Sequence, residues 1–481
     1  MKELPENTYS HILKYTSLFG SVQGLNILIG LVRNKCVALL LGPSGMGLAS
    51  LFQTMIGLVQ QTTSLGVSFS AVQHISELFE SGDERRILLF IKVVRAWSLI
   101  TGLIGVMFCL IAIPLFNRYV FTEGNYLWQT ILLSPLVFML AISGGETAIL
   151  KGVRQLKPLA YIQMYNAIAA LLIAVPMYYF LGIRGIVPVL VILGLVSMCL
   201  IIRYSNRLYP IRLKGAFGVL GEGMDMIRLG VSFTIAGILG SGADFSIRAI
   251  LNHLGGLEEV GLYNTGFTMT MLYSGVIFSA MEVDFFPRLS SVNNQRELYN
   301  DLINKQAVVS LLLIGAVIPM VIILLPIIIP LLTSSEFLPV IDMMRLMALS
   351  LYFRSVNLCI EYLSLAKGDS KSYLFLEFAY NVALVILVLG GYQYIGLSGA
   401  GWAFLVLVVL NFVMVLNYMH VKYQVSIQSS LIKHLFIHIL FGVITYMITQ
   451  ITKGATYWLI GLLVSLTAAC YSFYVLNKLR T

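Results

Sequence analysis

Apolar residues run along this chain in long blocks, without the short alternation of strands or the one-sided stripe of soluble helices. Fourteen blocks can be marked, from near 16–41 and 47–73 at the start to near 434–451 and 455–476 at the end. A hydrocarbon core of about 30 Å needs about 20 apolar residues per helix. In lipid, backbone polar groups must also be satisfied within the segment. The pattern predicts an all-α, polytopic membrane protein with about 14 transmembrane helices. Glycine and proline punctuate it at Gly42-Pro43, Gly182 to Gly185, Gly255-Gly256 and Gly396 to Gly399.

The pattern also repeats. ETAILKGVRQ, from Glu146, is answered by EYLSLAKGDS, from Glu361; Tyr165-Asn166 by Tyr380-Asn381; Ile113-Pro114-Leu115 by Ile329-Pro330-Leu331. LGPSGMGL at Leu41 to Leu48 is matched by LGGLEEVGL at Leu254 to Leu262, with one residue inserted. The common offset predicts a unit of six spans. Six is even, so both copies enter the membrane from the same side, as a parallel repeat about a pseudo-two-fold along the membrane normal. The expected organisation is an N-terminal six-helix bundle over 1–205, a linker over 206–228, a C-terminal six-helix bundle over 229–422, and two additional helices over 423–481.

Composition agrees. Of 481 residues, 58% are hydrophobic and 11% charged, against about 25% charged in soluble domains, so no large soluble domain fits. The first fifteen residues are polar and no small-residue cleavage site follows, so no cleavable signal peptide is expected. With the N-terminus in the cytoplasm, about 23 of the lysines and arginines fall at the cytoplasmic side. Arg118, Arg184 and Lys453 fall outside. That bias predicts cytoplasmic N- and C-termini. The net charge of +9 then reflects loops facing anionic lipid, and no nucleic acid partner is expected. Cys36, Cys109, Cys199, Cys359 and Cys470 are isolated in apolar runs, with neither metal nor disulfide spacing.

The GPSGMG core of the stretch from Leu39 to Ser50 has glycines at P-loop spacing. A P-loop needs Lys and Ser/Thr after the last glycine; here Leu48 and Ala49 follow. Helices on both sides make it a turn between two spans, and no nucleotide is expected.

LGPSGMGLASLFQ resembles the LGPxxxGLxxL signature of polysaccharide-export flippases, and the six-plus-six repeat with two extra spans resembles them too. Over about its first 425 residues the chain is similar to O-antigen (O-unit) translocases of the multidrug/oligosaccharidyl-lipid/polysaccharide exporter superfamily. The resemblance implies a flippase in polysaccharide or lipopolysaccharide biosynthesis. It would carry undecaprenyl-pyrophosphate-linked oligosaccharide from the inner to the outer leaflet of the bacterial cytoplasmic (inner) membrane. Relatives include the peptidoglycan-precursor flippase, with fourteen spans, and multidrug antiporters.

Charges inside spans are costly and mark candidate sites. Gln23, Asn26, Gly30 and Arg33 form one polar stripe on the first span, with Arg33 about 13 Å deep. On the seventh span Thr234, Ser241, Asp244 and Arg248 share a face, and Arg248 sits near the repeat position of Arg33. Guanidinium binds phosphate through paired donors, so Arg33 and Arg248 are the candidate pyrophosphate ligands of a central cavity. Gln23, Asn26, Gln53, Gln60, Ser241, Asp244 and Arg354 are candidate lining residues. Asp244 and Arg248 could equally pair only to satisfy each other, and Lys35 could snorkel to headgroups. No cofactor or metal is expected. Without a nucleotide site, direction would come from a proton or sodium gradient or from downstream consumption. Asp244, Glu146 and Glu361 are the candidate coupling or gating acids; structural ion pairs are the bland alternative for the two glutamates. Expected partners are the lipid-linked substrate, membrane lipids, and a glycan polymerase or export machinery.

Three alternatives bear on function. Drug antiporters use acids in the first span, and this span has none. A peptidoglycan-precursor (lipid II-type) flippase fits the span count. A membrane glycosyltransferase or polymerase would want a substantial outer loop. Here the outer loops are mostly four to ten residues with few acids; the Glu258-Glu259 pair is the only candidate, and it reads as a solvated loop end, so no enzyme activity is expected.

Overall fold

The computed structural model describes residues 7–121, 124–211 and 216–480. Among these the chain is helical and strand-free, in thirteen α-helices joined by turns and short 3-10 segments. Ten stretches are long and apolar enough to cross a membrane, which makes this a multi-pass membrane protein. Three of them, Leu28–Thr63, Lys157–Leu208 and Phe233–Met271, each contain a break that divides them into two spans.

The breaks are where glycine and proline predict them. Helix α1 (Asn7–Thr63) kinks at Gly42, with φ 62 and ψ −174, and Pro43 follows. A left-handed φ costs glycine nothing, and proline suits the first position of the next helix. Helix α7 (Met224–Ser291) kinks the same way at Gly256, with φ 78 and ψ −177. The two breaks are repeat partners in sequence and share one backbone conformation. The ends of α5 (Leu156–Leu181) and α10 (Ser370–Ile395), at Gly182 and Gly396, also share one. The expected turn over GPSGMG is thus narrowed to one residue: Gly42 alone leaves helical geometry, and from Pro43 the stretch already belongs to the next helix.

By proximity the chain divides into two compact units, Met1–Glu258 and Glu259–Thr481. In the first, α3 (Glu84–Tyr119) packs on α4 (Leu127–Gly152), and α4 on α6 (Ile186–Leu208). The short α2 (Val67–Ser81) joins α3 and α4 in a core around Ile75, Ile91, Val94 and Ile149. The first segment of α7 lies against α1 and α2. A Cβ on Gly66 would sit 2.2 Å from the carbonyl oxygen of Gly230, so the two backbones touch. Phe69 and Phe233 meet alongside, with ring centroids 3.9 Å apart.

In the second unit, α9 (Ile341–Ala366) is surrounded by α8 (Arg296–Leu332), α10, α11 (Leu397–Tyr423) and α12 (Ser429–Ile451). It is not among the ten apolar stretches. It carries Asp342, Arg345, Arg354 and Glu361, and most of its residues are buried among the other helices. A span covered by protein need not be apolar all round. Lipid tails are as apolar as leucine, so close packing holds such helices together. At Gly401 a Cβ would come 2.8 Å from the Cα of Met343, so α11 lies directly on α9. The last helices are tied in by polar contacts. Asn300 and Asn304 of α8 accept the backbone N–H groups of Ser426 and Gln428 at 2.9 and 2.8 Å. Tyr457 of α13 (Gly454–Arg480) receives a hydrogen bond from Arg345 at 3.3 Å and donates to the carbonyl of Ile323 at 2.8 Å.

Candidate functional site

The first-unit candidates lie on α1 and α7. Arg33 is half-buried and donates to the Asn34 side chain at 3.1 Å. Asn26, two turns earlier, is half-buried, and its side-chain oxygen is enclosed without a hydrogen-bond partner. The side chain of Gln23 lies outside the described residues. Gln53 is exposed and Gln60 half-buried. Arg248 is only 4% exposed. It donates to the backbone carbonyl of Asp244 at 2.8 Å and faces its carboxylate at 3.3 Å. The Asp244–Arg248 pairing weighed as the bland alternative therefore forms, although Asp244 keeps part of its side chain open. Ser241 turns its hydroxyl to the carbonyl of Gly237 at 2.6 Å, as hydroxyls within helices do.

Glu146 and Glu361 have different surroundings. Glu146 on α4 is buried and gripped by Arg95 of α3 through two bonds, of 2.7 and 3.1 Å. Arg95 spends its remaining donors at the end of α6, on Ser205 at 3.2 Å and on the carbonyls of Tyr209 and Pro210 at 3.0 and 3.4 Å. A charge removed from water this way is held by a partner with matching geometry. It ties three helix ends together.

Glu361 on α9 lines a cavity of about 210 Å³ in the second unit, with Arg354, Asn357, Tyr373, Glu377, Tyr380 and Asn411. One carboxylate oxygen accepts from the amides of Asn357 at 2.8 Å and Asn411 at 3.2 Å. Glu377 of α10 accepts from Asn381 at 3.1 Å. Arg354 turns one guanidinium nitrogen toward the sulfur of Met271 at 3.5 Å. Among the described residues, no ion pair holds Glu361 or Glu377.

Sequence reasoning did not single out Arg95, Glu377, Asn357 or Asn411. Glu377 could have been found as an acid inside an apolar run, and Asn357 as a residue one turn from Glu361. Asn411 lies fifty residues away and carries no local signal. Arg345 and Asp342, three residues apart on α9, pair at 2.9 Å. The solvated loop end expected at Glu258-Glu259 is corrected. The break at Gly256 is so short that Glu259 already lies in the next helix, half-buried, with one carboxylate oxygen enclosed.

The fold is that of transporters of the multidrug/oligosaccharidyl-lipid/polysaccharide superfamily. An inward-closed structure of the lipid II flippase MurJ matches with TM-score 0.67 and 15% identity, over 96% of this chain and 99% of that one. An inward-facing multidrug-resistance MATE transporter matches with TM-score 0.64 and 16% identity, over 83% and 96%. A superfamily transporter from Pyrococcus furiosus, described as having a binding pocket of reversed polarity, matches with TM-score 0.57 and 16% identity, over 84% and 92%. No curated protein matches in sequence. The chain belongs to the polysaccharide biosynthesis protein family, which matches residues 12–293. The resemblance read from LGPSGMGLASLFQ is thereby borne out.

Proposed function

We propose that this protein is a flippase for undecaprenyl-pyrophosphate-linked oligosaccharide, an O-antigen or capsule repeat unit. It moves its substrate from the inner to the outer leaflet of the bacterial cytoplasmic membrane by alternating access, with both termini in the cytoplasm. The observation that carries this reading is the pair of arginines set one repeat apart within two membrane spans, Arg33 and Arg248. Family membership supports it. A guanidinium in a low-dielectric setting attracts an anion strongly and meets phosphate oxygens through paired donors. The polyprenyl chain stays in lipid while the pyrophosphate crosses.

The test is complementation of a flippase-deficient strain that makes the cognate glycan. Wild type, Arg33→Ala and Arg248→Ala are compared at matched membrane levels. The expected result is surface glycan with wild type. Both variants lose it, and lipid-linked oligosaccharide accumulates inside. Full export by both variants overturns the cationic-site mechanism. A second reading, a lipid II-type flippase, is favoured by the MurJ match, which extends over 96% of this chain. Rescue of a strain depleted of its peptidoglycan-precursor flippase, without glycan export, would select it.

A further inference from the structure

Two helices each turn a polar stripe into the cavity of the second unit. On α9, Arg354, Asn357 and Glu361 are spaced three and four apart; on α10, Tyr373, Glu377 and Tyr380 are spaced four and three. Such spacings keep each set on one helix face. Leu358, Leu376 and Val408 add apolar surface. Arg354, Glu361, Glu377 and both tyrosines are half-buried, so each keeps some surface open. A carboxylate only accepts, at about four lone-pair sites. Amides fill two of these at Glu361 and one at Glu377, which leaves both able to take further donors.

A lipid-linked oligosaccharide has three chemically distinct parts, and the cavity discriminates among them. The polyprenyl chain has no donors, and packing it here would leave ionised carboxylates against hydrocarbon. Pyrophosphate has the wrong sign: Glu361 and Glu377 bring two negative charges against one positive charge from Arg354, and like charges brought together repel. A sugar ring fits. Its hydroxyls donate to carboxylates and accept from a guanidinium, and its C–H face suits the negative face of a tyrosine ring. The cavity volume, about 210 Å³, is below the roughly 300 Å³ of the smallest drug-sized pockets. That suits a single ring and not a chain of sugars.

We propose that this cavity binds one uncharged sugar residue of the oligosaccharide. Glu361 and Glu377 accept from its hydroxyls, Arg354 donates to them, and Tyr373 and Tyr380 flank the ring. Asn357 and Asn411 hold the Glu361 carboxylate in place through their amide nitrogens. The proposal rests on the flippase reading for the identity of its ligand, and it assigns the sugar to residues other than Arg33 and Arg248.

The probe is the reducing oligosaccharide freed by mild acid from the lipid-linked glycan of the flippase-deficient strain, which carries the sugars without lipid or phosphate. Its binding to the purified full-length protein is followed by the thermal midpoint, with sorbitol at equal mass as the control for general solute effects. The expected result is a saturable rise that sorbitol does not give. Glu361→Gln and Glu377→Gln keep an acceptor for the amides but remove the charge, and each should weaken the apparent affinity by roughly 10-fold or more. The exposed Asp225→Asn should leave it unchanged, and inorganic pyrophosphate should not compete. No rise above sorbitol in wild type overturns the proposal, as does undiminished affinity in both cavity variants or competition by pyrophosphate. Rescue of glycan export by wild type without oligosaccharide binding removes this site and keeps the flippase reading; binding without rescue does the reverse.

Discussion

Glu146 and Glu361 hold the same place in the two halves of the sequence repeat, near the ends of α4 and α9. The first is locked by Arg95 across two short hydrogen bonds. The second meets only amides. At the same offset from Arg95 the second half has Val309, Ser310 and Leu311, and none is charged. One copy of the repeat therefore carries its own counter-charge and the other leaves the place open. The duplicated sequence supplies an internal control. Helices equivalent in sequence place an acid at equivalent positions; Arg95 makes the first a structural tie, while the second is held by amides in a cavity that it shares with Arg354.

The largest expected effect breaks this comparison directly. Glu146→Gln strands the Arg95 guanidinium in a buried site, and Arg95→Ala strands the carboxylate. Breaking a buried pair from one side costs about 3–5 kcal/mol. The check is the apparent unfolding midpoint and membrane yield of each variant. Replacing both partners with leucine should recover most of the loss, because no buried charge then remains. Glu361→Gln should cost less than about 1 kcal/mol, since the glutamine oxygen still accepts from both asparagines. Equal costs for Glu146→Gln and Glu361→Gln would remove the distinction between the halves.

Much of this was legible in the sequence, and the boundary between what was and was not has a physical reason. Gly42 and Gly256 could be read as hinges because a positive φ selects glycine, and at Gly42 a following proline also starts a helix. The equivalence of Glu146 and Glu361 could be read because spacing survives in sequence. The grip of Arg95 could not. An arginine about three turns inside a helix end can still be read as a snorkelling residue, and only the arrival of α4 and α6 turns it inward. The cavity in the second unit was half legible. Glu361 stood out as a charge, whereas Asn411 acquires its role from α11 lying directly on α9. Glu259 was misplaced because a one-residue break leaves no loop to hold it.

A smaller effect sharpens the comparison at the turns that follow these helices. Between α9 and α10, Asp369 caps α10 by accepting from the Ser372 N–H at 3.1 Å. It also meets Lys422 and Tyr423 of α11, each at 2.5 Å. The Lys422 ammonium, and next the Tyr423 hydroxyl, hold its carboxyl well below the usual carboxylate range. A carboxyl depressed in the folded state stabilises that state above its unfolded pKa, about 3.9, and loses the contribution as pH falls through the folded value. Asp369→Ala should lower stability by about 1 kcal/mol at neutral pH through the lost cap. The gap to wild type should narrow as pH drops below about 4. A gap that widens in acid would show that the carboxylate is not held in its charged form.

The smallest effect belongs to the matching turn of the first half. Between α4 and α5, Arg154 adopts a left-handed φ of 57 and reaches across to Glu80 of α2. Both side chains are more than half exposed, at 61% and 64%, so water and salt screen the attraction and side-chain ordering offsets part of it. Glu80→Ala should therefore change stability by no more than about 0.5 kcal/mol, and the difference should vanish in high salt. Asp369→Ala should keep a salt-resistant part, because its bond to the Ser372 N–H is a helix cap and not an ion pair alone. Measuring both variants in low and high salt separates the two kinds of contact. A salt-resistant loss at Glu80 would mean that this exposed pair also fixes the backbone around Arg154, and that the two turns are more alike than their burial and bonding indicate.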